Sequence, residues 1–154
     1  MKRYTIALFF IIASIGVSAA YGQEKKIDRK DLPKAVEATV SRESVGATIK
    51  GFSMEKEDGI VTYEAQLVVN GRTKDISMDA KGNVLEVEEE VLFDSLTDDV
   101  KSGLKKAAGA GTIGKVESLQ KRGGIVAYET VVTNGNKHSE IQVGPDGKAL
   151  ARKE

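Results

Sequence analysis

The chain has 154 residues, 40% of them hydrophobic and 30% charged, the balance of an ordinary globular protein rather than of a disordered or multiply membrane-spanning one. Lys plus Arg and Asp plus Glu stand at 23 each, without the basic excess that neutralising a phosphate backbone demands, so no nucleic-acid partner is expected. Cysteine is absent, which excludes disulfides, thiolate metal ligands and attachment through a lipidated N-terminal cysteine.

Lys2 and Arg3 precede an apolar run from Tyr4 to Val17, and the small residues Ser18, Ala19 and Ala20 follow. This is the order of a secretory signal peptide, here residues 1–22, and the apolar run is shorter than the roughly 20 residues a helix needs to cross the hydrocarbon core. The expectation is an exported chain, periplasmic or secreted, cut after Ala20 or after Gly22 and left with no stable membrane anchor. Without Lys2 and Arg3 the chain carries 21 basic against 23 acidic residues, a slightly acidic balance that does not suit anionic lipid.

After a lead-in at 23–30, the sequence repeats itself. Gly59-Ile60-Val61-Thr62-Tyr63-Glu64 returns as Gly124-Ile125-Val126-Ala127-Tyr128-Glu129. Around it, Leu32, Val36 and Val40 match Leu96, Val100 and Leu104; Asn70-Gly71 matches Asn134-Gly135; Ile76 matches Ile141; Lys81-Gly82 matches Asp146-Gly147; and Leu85 matches Leu150. The register slips by one residue between Tyr128 and Asn134, as a shortened strand or an altered bulge would cause. Two units follow, 31–90 and 91–154.

Each unit opens with a helix signal. Asp31 with Leu32-Pro33 can cap and start the first, and Ser95 three residues before Asp98 resembles a capping box for the second. Val36 and Val40, like Val100 and Leu104, are four apart and stack on one helix face. The period then changes to two: Val61, Tyr63, Ala65, Leu67 and Val69 alternate with more polar neighbours, as in a half-buried strand. Asn70-Gly71 suits a type I′ hairpin, Ile76 and Met78 mark the return strand, residues 79–83 turn, and Val84 to Glu88 make the last strand. A strand near Thr48 to Lys56 completes the set. The predicted fold class is therefore α+β: two tandem repeats of one helix packed on about four antiparallel strands, joined into one extended sheet near Val91, Leu92 and Phe93.

These residues carry a resemblance. The helix, the Asp58-Gly59-x-x-x-Tyr63-Glu64 element and the closing Gly82-x-Val84-Leu85 strand resemble the PepSY-like repeat of exported bacterial proteins, and the tandem arrangement is similar to the proteinaceous β-lactamase inhibitors. It spans residues 31 to 154. The second copy departs from the pattern, with Gly123-Gly124 in place of Asp58-Gly59 and Ala149 in place of Val84. The resemblance implies a secreted or periplasmic module that binds proteins and in some members restrains peptidases; it implies no catalytic residues.

Several residues invite a chemical reading that their surroundings do not support. His138, the only histidine, follows a turn and reads as an exposed strand-end residue, so neither a nucleophile–histidine pair nor a mononuclear zinc site is expected. Gly109-Ala110-Gly111-Thr112-Ile113-Gly114 matches a dinucleotide fingerprint, but a helix precedes it and a strand follows, the reverse of what a bound pyrophosphate needs. Glu86, Glu88, Glu89 and Glu90, with Asp79, suggest calcium, yet alternation points Glu86 and Glu88 outward along a strand that reads as a solvated edge. Glu64 and Glu129 occupy equivalent places in separate units, with no reason to meet as a catalytic pair. Tyr63 and Tyr128 read as core aromatics.

The function expected is thus a non-catalytic protein-binding module without cofactor or metal, acting on another extracytoplasmic protein such as a peptidase or envelope enzyme. The candidate binding residues are Thr62, Glu64, Gln66, Glu129, Val131, Glu140 and Gln142, on the sheet face away from the helices. The competing reading is an envelope carrier of a small ligand or calcium.

Overall fold

A computed structural model describes residues 24–57, 59–150 and 154. The expected signal peptide with its two cleavage points, and Asp58 of the repeated element, lie outside the described residues.

The chain forms a short strand β1 (Lys25–Ile27), a 3-10 turn (Arg29–Asp31) and helix α1 (Lys34–Glu43). Strands β2 (Thr48–Glu57), β3 (Ile60–Val69), β4 (Arg72–Asp79) and β5 (Val84–Val91) follow. A second 3-10 turn (Phe93–Ser95) leads to α2 (Asp98–Ala108), then to β6 (Thr112–Lys121), β7 (Gly124–Asn134) and β8 (Lys137–Val143). The strands make one antiparallel sheet in the order β1 to β8, each bonded to the next.

This corrects the expected fold class. The molecule is one eight-stranded antiparallel sheet carrying two helices, not two tandem helix-plus-strand repeats. The physical reason is the backbone pairing of β5 with β6, from Val87↔Gln120 to Val91↔Val116, which leaves no boundary in the hydrogen-bond ladder. The halves are also unequal: three strands follow α2, whereas five precede it because Lys25–Ile27, read as a lead-in, pairs with β2.

The helix starts differ from expectation as well. Pro33, not Asp31, occupies the cap of α1, and the Arg29 guanidinium holds Glu37 in the first turn at 2.7 Å. Thr97, not Ser95, caps α2: its Oγ1 accepts from the Val100 N–H, while Ser95 Oγ donates to the Leu92 carbonyl at 2.7 Å. Asp98 and Asp99 in the first turn of α2 and Lys105 and Lys106 in its last complement the helix dipole.

Both helices lie on one face of the sheet. Val36 and Val40 of α1 pack on Phe52, Ala65, Leu67, Ile76 and Met78, with Tyr63 at the margin. Val100 and Leu104 of α2 pack on Val116 and Val143, with Tyr128 and Ile141 alongside. The tyrosines are therefore core aromatics, as alternation indicated. Each full burial of an aliphatic side chain of this size stabilises by about 1.5 to 3 kcal/mol.

Turn chemistry sets the register. Asn70 and Gly71 both have positive φ, 51° and 82°, the type I′ pattern, and Val69↔Arg72 closes the hairpin. In the second hairpin Asn134 pairs with Lys137, so the turn moves to Gly135-Asn136; only Gly135 has positive φ, as in type II′. The β7–β8 ladder runs without a break from Tyr128↔Val143 to Asn134↔Lys137, so the one-residue slip is a shift of the Asn-Gly pair relative to the turn and not a bulge in the strand. Two glycines anchor helices to turns. A Cβ at Gly82 would overlap the Ala35 carbonyl of α1, and one at Gly147 would overlap the Asp99 carbonyl of α2. Thr39 Oγ1 adds a hydrogen bond to the Gly82 carbonyl at 2.8 Å.

Candidate binding face

Because side chains alternate along each strand, the residues between the core positions all point away from the helices. The pairing register lays them out in rows across the sheet. Gln66, Asp75, Glu88, Leu119 and Ala127 form one row from β3 to β7. On one side of it runs Ser53, Glu64, Ser77 and Glu86, from β2 to β5. On the other, Glu90, Glu117, Glu129 and Gln142 run from β5 to β8.

The seven residues expected for binding all occur on this face, but in two groups. Thr62, Glu64 and Gln66 share β3; Glu129 and Val131 lie on β7, and Glu140 and Gln142 opposite them on β8. Three strands separate the groups. Glu64 and Glu129 are accordingly about 19 Å apart measured along the sheet, from four interstrand steps of about 4.8 Å, and they share no row of the face as an acid–base pair would. Thr62 and Glu129 are buried rather than exposed.

Between the groups lies what the sequence reading missed. Glu86 and Glu88 sit on β5, a central strand and not an edge, and both are buried, as is Asp75 beside them. Alternation alone points Glu86 and Glu88 outward; only the pairing of β5 with β6 turns them from rim into centre. Glu89 points the other way, opposite Lys74 and Ser118. Asp79 does not join them, because its carboxylate accepts from the N–H groups of Lys81 and Asn83, closing the β4–β5 turn.

The charges are only partly matched. Lys121 Nζ lies 3.0 Å from Glu86, and Lys115 bridges Glu90 and Glu117 at 3.5 and 3.7 Å, with Thr73 donating to both carboxylates. The Gln66 amide donates to Glu64 at 3.0 Å, and the Gln142 amide donates to Glu129. Burial pushes the Glu64 carboxyl up to about 7, against the Gln66 hydrogen bond. Burial, then the neighbouring Glu117, pushes Asp75 up to about 6. Burial again dominates at Glu88, followed by Glu86, with Glu129 and Glu117 adding repulsion, and its carboxyl is held far above the usual range. Glu90 is held low, chiefly by the Thr73 N–H.

No helix among the described residues is long and apolar enough to cross a membrane. Among the same residues no three His, Asp or Glu side chains converge as metal ligands would. His138 is exposed at the start of β8, with Nδ1 3.0 Å from Thr133 Oγ1. The glycine-rich stretch runs from the end of α2 into β6, with Gly109 at φ 58° terminating the helix.

No protein-family model matches the chain, and no curated protein matches it. Solved structures do. A BLIP-like protein from Bacteroides fragilis is 21% identical, with a TM-score of 0.59 over 79% of this chain and 85% of its own. A DUF2874 family protein from Bacteroides ovatus is 19% identical, with a TM-score of 0.62 over 77% and 84%. A Bacteroides eggerthii protein described as periplasmic is 16% identical, with a TM-score of 0.65 over 79% and 88%. At these identities the likeness is one of fold, and it is to BLIP-like and DUF2874 proteins.

Proposed function

We propose that this chain is an exported, non-catalytic protein-binding module of the periplasm or the extracellular space, related to PepSY-like repeat proteins, and that it restrains a peptidase or another envelope enzyme. The observation that carries this reading is the helix-free face: eight paired strands form one broad surface, with Glu64 and Gln66 in one group and Val131, Glu140 and Gln142, beside the buried Glu129, in the other. A sheet held by continuous backbone pairing loses little conformational entropy when a partner docks on it. The signal-peptide pattern at residues 1–22 supports export. A BLIP-like protein and a protein described as periplasmic share the fold, in keeping with both halves of the proposal.

The experiment is capture followed by mutation. The chain from Gln23 onward is immobilised and exposed to periplasmic and secreted fractions, and each salt-resistant partner is purified and assayed for loss of its activity. Binding should weaken roughly tenfold or more when Glu64 and Glu129 are both changed to Lys, and should stay unchanged in Asp94→Lys, away from the face. Equal binding by both variants would sink the proposal.

A further inference from the structure

The centre of the helix-free face contains an acid with one buried oxygen left unpaired. Glu88 is only 6% exposed, and its Oε2 is buried without a hydrogen-bond partner. A buried carboxyl oxygen left unpaired costs about 1 to 3 kcal/mol, so a fold that retains one has left room for a donor to be supplied from outside. Around it stand Glu86 and Glu90 on its own strand, Asp75 on β4, Glu64 on β3, Glu117 on β6 and Glu129 on β7. Against these, Lys121 is taken up by Glu86, and Lys115 by Glu90 and Glu117.

We infer that the Glu88–Asp75 centre of this face receives one guanidinium or ammonium group presented by the partner protein. The inference rests on the protein-binding reading and supplies the chemistry of the partner. Charge complementarity selects the occupant: among the described residues the two acids of the central row, Asp75 and Glu88, have no lysine salt bridge, while Lys121 and Lys115 are engaged by Glu86, Glu90 and Glu117. A metal ion suits the geometry less well, since calcium asks for six or more convergent oxygens and no three carboxylates among the described residues converge in that way. A planar guanidinium needs only two acceptors side by side, which Asp75 and Glu88 supply as direct cross-strand partners. No helix or strand among the described residues packs over the face; Glu154 reaches it, through Gln142 and Lys121.

Burial keeps Glu88 protonated near neutral pH, and a cation reverses that, so docking expels the Glu88 proton to solvent. This gives the test a signature that a generic acidic patch lacks. A capped peptide of six arginines is titrated into the chain at pH 7 by calorimetry in two buffers of different ionisation enthalpy, with amide chemical shifts followed in parallel. The expected result is one peptide per chain, release of about one proton, and the largest shifts at residues 74–76, 86–90 and 117–119. Glu88→Gln should weaken binding roughly tenfold and abolish the proton release, Asp75→Asn should weaken it as well, and Glu55→Gln should do neither. Undiminished binding by Glu88→Gln and Asp75→Asn, or shifts centred elsewhere, would overturn the inference. Calcium chloride alone binding with the same Glu88-dependent proton release would also overturn it, in favour of a metal site. A captured partner lost with Glu64→Lys and Glu129→Lys but indifferent to Glu88→Gln would remove this inference while leaving the protein-binding reading standing.

Discussion

Asp75 on β4 and Glu88 on β5 are direct cross-strand partners, two buried carboxyls facing each other on the helix-free side of a central strand pair. Like charges directly opposite in a sheet are destabilising, and burial adds to the penalty. The pair persists because both acids hold their protons far more tightly than an exposed carboxyl would.

Stability should consequently fall as pH rises through neutrality. Asp75 and Glu64 ionise at about 6 and about 7 in the fold, against about 4 in an unfolded chain. Between those limits the folded chain binds more protons than the unfolded one, so the slope of stability with pH is negative. Their contribution is fully present below about pH 4 and is lost as pH rises through 6 and 7. Glu37, Asp79 and Glu90, held low by hydrogen bonds and cations, act oppositely and lose theirs only in more acidic solution. Urea unfolding from pH 4.5 to 8 should show a decline of roughly 1 to 2 kcal/mol, after allowance for solvent screening.

Glu88→Gln should stabilise the fold at pH 8. The amide keeps the size of the side chain, removes the cost of a buried ionisable acid and brings a donor toward Glu86. The expected gain is about 1 to 3 kcal/mol at pH 8, shrinking toward zero at pH 4.5 where the acid is already neutral. Unfolding midpoints at the two pH values measure the difference, and an equal effect at both would show that packing rather than charge governs the site.

Gly147 and Gly71 both have positive φ, but Gly147 is also packed against α2 while Gly71 faces open space. Gly71→Ala should cost only the left-handed backbone penalty, about 1 to 2 kcal/mol. Gly147→Ala must in addition push α2 off the turn after β8, and a loss of roughly 3 kcal/mol or more is expected. Thermal unfolding of the two variants side by side tests this. Comparable midpoints would mean that the turn gives way without disturbing the helix.

Leu104 is fully buried on the sheet-facing side of α2 and packs within the Val100, Val116 and Val143 cluster. Leu104→Ala should destabilise by about 2 to 5 kcal/mol, the range set by how far the cavity collapses. Because β5 and β6 share a hydrogen-bond ladder, the loss should appear as one cooperative transition by far-UV circular dichroism and by tyrosine fluorescence alike. Two separated transitions would contradict a single continuous sheet.

Much of the local structure was legible in the residues themselves. Val36 with Val40 and Val100 with Leu104 identify two one-sided helices, because four-residue spacing stacks side chains on one face. Alternation from Val61 to Val69 and the Asn70-Gly71 pair give a strand and its turn, because the pleat has period two and a type I′ turn needs two positive φ angles. The same alternation assigned Thr62, Glu64, Gln66, Glu129, Val131, Glu140 and Gln142 to one side of the sheet. Lys25–Ile27 escaped notice because three residues carry no readable period. What only the tertiary structure decided was the partner of each strand. Val87 meets Gln120 through backbone hydrogen bonds, and such bonds leave no trace in side-chain pattern. That pairing fixes β5 and β6 as the seam and moves Glu86 and Glu88 from a supposed solvated edge to the buried centre of a face. Position in a sheet, rather than the identity of a carboxylate, determines whether its charge meets water or is suppressed by burial.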